Sequence, residues 1–408
     1  MHKPYQVFFR PVMIHTRFLS IVLLGCLPIA AISGCARHRA NSLTLDEQLL
    51  LAAKKGDTAA VQHLLKKGAH LDTKDEGGST ALALAAEFGH ADTARFLMGK
   101  GADKIAAGLE GDDALISAAR SGYATKVEIL LERGTSAKVK NEALLALAGK
   151  SLPAIIASPV DVQHAETLRK QNPDAVLFLH IDNSRTVELL LQNGADIESR
   201  NEYDATPLFQ AAEFGNTEVV KVLLEKGANV QAKSNSGMTP LIAAACNCPI
   251  IDMPDAYDSM KLLLEKHADI EAKDKDGQTA LMAAAGWGRV ENMRLLLDNN
   301  ARIEARDNHG NTALLIAAEG SGYPTLDAVK MLLDRRANIK ARNNDGDTAL
   351  ILAASKAGTD DIQIVKLLLS RGASPNSKNK KGGTALSLAK KNGRTEIIPL
   401  LRAPATSY

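Results

Sequence analysis

Residues 201–232 read NEYDATPLFQAAEFGNTEVVKVLLEKGANVQA, and the order of residue types in this stretch decides the fold. Thr206 can cap a helix with its hydroxyl, and Pro207 suits the first helical position, where its missing N–H would be unpaired anyway. Leu208 and Ala211-Ala212 mark the buried side of that helix, and Gly215 ends it. A second helix carries Val219, Val220, Val222, Leu223 and Leu224 and stops at Gly227, which adopts the left-handed backbone at low cost. Small alanines on one helix and branched aliphatics on the other let such a pair stack on near-copies of itself. The segment from Val230 to Ser236 reads as a protruding hairpin turn.

Near-copies are present along most of the chain. Helix starts equivalent to Thr206-Pro207-Leu208 recur at Thr80, Thr239, Thr279, Thr312, Thr348 and Thr384, with degraded versions at Asp113-Ala114-Leu115 and Glu142-Ala143-Leu144. The end of the second helix recurs at Gly68-Ala69, Gly101-Ala102, Gly134, Gly194-Ala195, His267-Ala268, Asn300-Ala301, Arg336-Ala337 and Gly372-Ala373. From Gly68 to Gly101 to Gly134, and again from Gly194 to Gly227, the step is 33 residues. That period, with occasional insertions and the Thr-Pro-Leu grammar, resembles the ankyrin repeat. The resemblance implies an all-α solenoid of about ten helix-turn-helix-hairpin units over residues 44–403, opened by Leu49 to Asp75 and closed by Gly382 to Leu401, with a tail at 404–408. Terminal units should be atypical, because each has only one neighbour.

The insertions fall in one place. From the Leu of the helix start to the Gly of the second-helix end is 19 residues for Leu82 to Gly101, Leu208 to Gly227 and Leu281 to Asn300. It grows for Leu241 to His267, Leu314 to Arg336, Leu350 to Gly372 and, most of all, Leu144 to Gly194. Every excess therefore lies between the two helices of a unit, opposite the hairpins. The hairpins stay nearly regular, except that the one after Gly134 is four residues short. The largest insert, about 149–182, contains Ser158-Pro159 followed by a short helical stretch. It reads as a local plug on the weak copies around it or as a partner-specific knob.

The N-terminus carries a different signal. A basic region from Met1 to Arg17 precedes an apolar run from Phe18 to Ile32 interrupted by Gly25 and Pro28. A spanning helix needs about 20 apolar residues, so a cleaved secretory signal over 1–34 fits better. Met13 is an alternative start that gives a signal of more usual length. Ile32-Ser33-Gly34-Cys35 resembles the lipobox of bacterial lipoproteins, with Leu23-Leu24-Gly25-Cys26 a poorer match. That resemblance implies a lipidated Cys35 at the start of the mature chain. It further implies the outer membrane, facing the periplasm, because Ala36 is not the Asp that commonly retains lipoproteins in the inner membrane. The tether within 35–43, from Ala36 to Ser42, spans at most roughly 25 Å.

Composition narrows the partner. The formal charge is +2, but Lys3, Arg10 and Arg17 lie in the signal, and without them 46 basic residues face 47 acidic ones. A near-neutral body with no basic stripe excludes nucleic acid as the expected partner. Enzyme motifs are incomplete: Gly149-Lys150-Ser151 lacks the first Gly of a phosphate loop, and Asp274-Lys275-Asp276-Gly277 lacks the rest of a calcium loop. The histidines are scattered, so no metal, cofactor or catalytic activity is expected.

In ankyrin proteins the partner meets the concave face, built from hairpin tips and from the two positions after the Ala-Ala pair. Carried over residue by residue, the resemblance places Phe88, Arg120, Glu213, Phe214, Trp287 and Lys356 at those helix positions, and Tyr203 and His309 at hairpin tips. Phe88, Phe214 and Trp287 share one slot; it suits anchors for a partner's pockets, and equally rings that pack between repeats. Cys246-Asn247-Cys248 opens an insert, where an oxidising compartment favours a local disulfide over free thiols, with a redox-active pair as the alternative. The expected function is a membrane-tethered periplasmic protein-binding module, monomeric, whose partner is a protein. By analogy with lipoproteins that carry repeats, a narrower form is an immunity protein against a secreted, lipase-type antibacterial effector. An envelope scaffold or oxidative-stress factor is the other form.

Overall fold

The N–H of Phe209 donates to the Thr206 hydroxyl at 3.3 Å, and the helix Pro207–Glu213 starts there with its proline in the first turn. The same bond caps the helices after Thr80, Thr239, Thr348 and Thr384. Thr279 and Thr312 keep the extended cap backbone without the side-chain bond, and the buried Thr312 hydroxyl has no partner. Backbone geometry set by packing thus holds two helix starts that the sequence treats as equivalent to the rest.

The computed structural model describes residues 43–102, 112–132, 134–149, 183–246, 255–320, 325–356 and 361–402. The signal segment, Cys35, the tether to Ser42, the body of the 149–182 insert, Cys248 and the 404–408 tail lie outside the described residues.

Among the described residues ten helix pairs follow one another. They are α1 (Leu45–Lys55) with α2 (Thr58–Lys66), α3 (Ala81–Glu87) with α4 (Ala91–Gly99), and α5 (Asp112–Ser121) with α6 (Ala124–Leu131). Next come α7 (Ala137–Ala148) with α8 (Asn183–Gln192), α9 (Pro207–Glu213) with α10 (Thr217–Glu225), and α11 (Pro240–Cys246) with α12 (Asp255–Glu265). The series closes with α13 (Ala280–Gly286) and α14 (Val290–Asp298), α15 (Ala313–Glu319) and α16 (Leu326–Asp334), α17 (Ala349–Ser355) and α18 (Asp361–Ser370), and α19 (Ala385–Lys391) and α20 (Ile398–Arg402). No strand occurs among the described residues, only an isolated antiparallel bridge between Lys74 and Thr80. The chain is an all-α solenoid of helix pairs.

First helices pack on first helices and second on second, so one apolar core runs through the stack. Ala211, Ala212, Val219, Val220 and Leu223 of the fifth unit are wholly buried in it. Among the described residues the stacking lapses at one place, where α3 rests mainly on the second helix α6 rather than on the first helix α5. Just beyond, α5 and α7 share the most extensive helix–helix contact among the described residues. The reason is a departure from the sequence reading. In place of a shortened hairpin after Gly134, the chain turns directly into α7 at Ala137, capped by the Ser136 hydroxyl on the Val139 N–H. The helix that was expected to be capped at Glu142 therefore begins six residues earlier, capped at Ser136. The opening helix also starts before Leu49, at a capping box of Thr44 and Glu47.

The ends of the second helices show a constraint the sequence disguises. Gly227 sits at φ +88°, and where other units replace this glycine, His267, Asn300 and Arg336 take the same left-handed backbone at φ 60°, 66° and 66°. The turn geometry is kept although the side chain disfavours it. His267→Gly and Arg336→Gly should each stabilise the chain by about 1 kcal/mol. A urea midpoint that fails to rise in either variant would count against strain there.

Candidate functional site

Three aromatic side chains leave the backbone at one position. Phe88, Phe214 and Trp287 each follow the last residue of a first helix, and each N–H closes that helix onto the carbonyl four residues back, at 2.9, 3.0 and 3.3 Å. All three are half-buried. Phe88 packs on the core, and the Lys54 ammonium of the preceding unit lies 4.9 Å from its ring centre, a cation–π contact. The slot is therefore shared between packing and display.

The remaining candidates are spread rather than gathered. Arg120 is exposed in the last turn of α5, and His309 is exposed on its hairpin. Tyr203, 61% exposed, is the most open large apolar side chain among the described residues, on the hairpin that leads into α9, whose last residue is Glu213. Lys356 reaches back one unit to the Glu319 carboxylate. The sequence reading named neither this pair nor a second one, Lys126 to Glu87 at 2.8 Å, in which Lys126 lies on α6, a second helix of the next unit.

Hairpin tips form a continuous edge from the fifth unit onward. A tip N–H donates to a carbonyl of the preceding hairpin from Asn235 to Tyr203, Lys275 to Ser236, Asn308 to Asp276, Asn344 to His309 and Lys380 to Asp345, all between 2.8 and 3.0 Å. Beneath them runs a row of cations, each reaching a carbonyl one unit on: Arg200 to Lys233, Lys233 to Lys273, Lys273 to Arg306, Arg306 to Arg342 and Arg342 to Lys378. These charges are consumed in holding the edge, which leaves the tips above them ordered before any partner arrives. Ordering done in advance is not subtracted from affinity. Each tip must also pass close to the next, and a Cβ on Gly277 would stand 2.8 Å from the Asn308 backbone nitrogen, at a φ of +78°. Gly277→Ala should cost about 2 to 3 kcal/mol. Gly227→Ala, also at positive φ but with nothing within 4 Å, should cost only about 1 kcal/mol in the same urea series.

Glu213 is the electrostatic exception. It is largely withdrawn from water at the C-terminus of α9, where the helix dipole also disfavours a negative charge. Burial pushes its carboxyl up to about 7. Beside it the Cys246 thiol is pushed up to about 12, first by burial and then by the carboxylates of Glu213 and Asp274. Cys246 is thus held as the unreactive neutral thiol. Its expected disulfide partner, Cys248, is outside the described residues. No cluster of three or more His, Cys, Asp or Glu fit to hold a metal occurs among the described residues.

A carboxyl raised on folding binds more protons in the folded chain than in the unfolded one between about pH 4.5 and 7. Its stabilising contribution is full below that window and is lost as pH rises through it. Stability should fall by about 2 to 3 kcal/mol between pH 4.5 and 8, and Glu213→Gln should remove that fall. Parallel pH profiles of parent and variant in urea would sink the assignment.

A stack of helix pairs with hairpins zipped along one edge defines a repeat scaffold, and the sequence comparison gives its class. A model described as ankyrin repeats (3 copies) matches residues 49–141, 175–274, 253–343 and 322–406, and the chain belongs to the ankyrin-repeat family. Ankyrin repeats generally serve as non-catalytic scaffolds for protein–protein interaction. Among solved structures the chain is similar to the crystal structure of the human ASB11 ankyrin repeat domain, at 25% identity and a TM-score of 0.46, over 60% of this chain and 99% of that one. No curated protein matches.

Proposed function

We propose that this chain is a protein-binding module held at a membrane by a lipid on Cys35, with its repeats facing the bacterial periplasm. The observation that carries the binding half is the pre-ordered edge from Tyr203 to Lys380, with Phe214 and Trp287 displayed in one slot beside it. The tether half rests on Ile32-Ser33-Gly34-Cys35 and on the seven residues from Ala36 to Ser42. No helix among the described residues is long and apolar enough to cross a membrane. A multiply acylated cysteine holds a protein at a bilayer without one.

A short tether favours a partner met next to lipid. A narrower form of the proposal is therefore an immunity protein that occupies a membrane-attacking, lipase-type effector. A scaffold or oxidative-stress role in the envelope uses the same face with a different occupant.

Mass spectrometry of the mature N-terminus should find an acylated Cys35, and Cys35→Ala should move the protein from the membrane to the soluble fraction. Partners captured from the envelope by the parent chain should be lost on Tyr203→Ala combined with Trp287→Ala. Capture that survives both changes would overturn the concave-face reading, and an unmodified Cys35 would overturn the tether.

A further inference from the structure

Three units end their first helix in glutamate, and two of these carboxylates are neutralised from the following unit. Glu87 meets Lys126 at 2.8 Å, with the lysine side chain only 12% exposed, and Glu319 meets Lys356. Glu213, the third, has no hydrogen bond or ion pair among the described residues, and burial with no offsetting charge governs its carboxyl. The missing cation has an address. Lys126 lies eight residues before Gly134, and the residue eight before His267 in the unit after Glu213 is Ser259, whose hydroxyl is instead bound to Thr217 at 2.9 Å. The segment that follows Cys246, Asn247 to Pro254, contains no Lys, Arg or His and so cannot supply a cation whatever its conformation.

A desolvated carboxylate at a helix C-terminus gains more from a cation than a solvated one does, because water no longer competes for it. From the repeated pairing and its single omission, we infer that Glu213 is the docking point for a lysine or arginine side chain of the protein partner, received next to Phe214. The inference rests on the concave face being the binding surface, and it adds the chemistry that face selects. The two intramolecular pairs show the geometry: a cation brought in over the end of the first helix. A neutral or acidic side chain at that point leaves the carboxylate uncompensated or repelled.

The test uses the full chain in detergent, with its glutamate carboxyl carbons labelled and Glu213 assigned from Glu213→Gln. The probes are acetyl-Phe-X-Ala-amide peptides in which X is arginine, lysine or norleucine. Arginine and lysine peptides should bind at least tenfold more tightly than the norleucine peptide at pH 8 and should draw the Glu213 titration down by about one unit. Glu213→Gln should abolish the preference, and Glu225→Gln, an exposed change on α10, should keep it. Equal affinity for the three peptides overturns the inference. So does a Glu213 that titrates in the ordinary carboxylate range before any probe is added, since the cation is then the chain's own, from Lys150, Arg169 or Lys170. A partner captured from the envelope that binds Glu213→Gln as tightly as the parent also overturns it, while leaving the concave-face reading intact.

Discussion

Burial of the alanine pairs against neighbouring units is the interaction on which everything else here depends. Ala211-Ala212, Ala284-Ala285, Ala317-Ala318 and Ala353-Ala354 are almost fully removed from water, yet no unit encloses its own pair. The first helix that carries each pair packs on the first helices of the units on both sides. In an array of this kind stability is a sum of unit terms and nearest-neighbour terms, so a weak interface is not repaired by a strong one further away. The hairpin edge, the aromatic slot and the position of Glu213 are all set by how one unit seats on another.

Much of this is written locally and can be read locally. The Thr206 cap, the Pro207 start and the left-handed stop at Gly227 act within a few residues, and the structure reproduces them. His267 and Arg336 are harder, because their residue types argue against a left-handed turn, whereas Asn300 is a usual substitute for glycine there; the period identified all three and the backbone agrees. What the sequence hides is whatever joins residues one repeat apart. The row from Arg200 to Arg342 reads as solvated charge until each cation is seen bonding a carbonyl 33 to 40 residues away. Lys126 has no local signal linking it to Glu87, and no local signal marks Glu213 as buried. The Ser136 cap was legible as a residue type, but the degraded copy around Glu142 drew the boundary too late.

The two ends of the stack are held by different means. From the fifth unit on, the hairpins are bonded tip to tip. In the second to fourth units a charge network on the second helices joins one unit to the next: Arg95 to Glu128 at 2.7 Å and to Glu132 at 2.9 Å, then Arg185 to Glu128 at 3.0 Å. Burial works to raise the Glu128 carboxyl, and the bonds from the two arginines outweigh it and hold the carboxyl below its ordinary value. Surface pairs of this sort contribute at most about 1 kcal/mol each and weaken with salt. Backbone-to-backbone bonds along the tips carry no such dependence. The network spans the place where α3 rests on α6 and where the hairpin after Gly134 is replaced by helix, so the joint with least regular stacking relies most on ionic contacts.

The separation of hairpins from inserts gives the molecule two margins that can vary independently. One margin presents a single tip per unit, at a step fixed by the bonds between tips. The other has absorbed additional residues after Cys246, Gly320 and Lys356 without shifting any tip relative to the next. A partner that reads the tips is in effect matched against a ruler, whereas length added on the opposite margin leaves the ruler's divisions where they were. Such a chain can acquire new bulk on one side and keep an old acquaintance on the other.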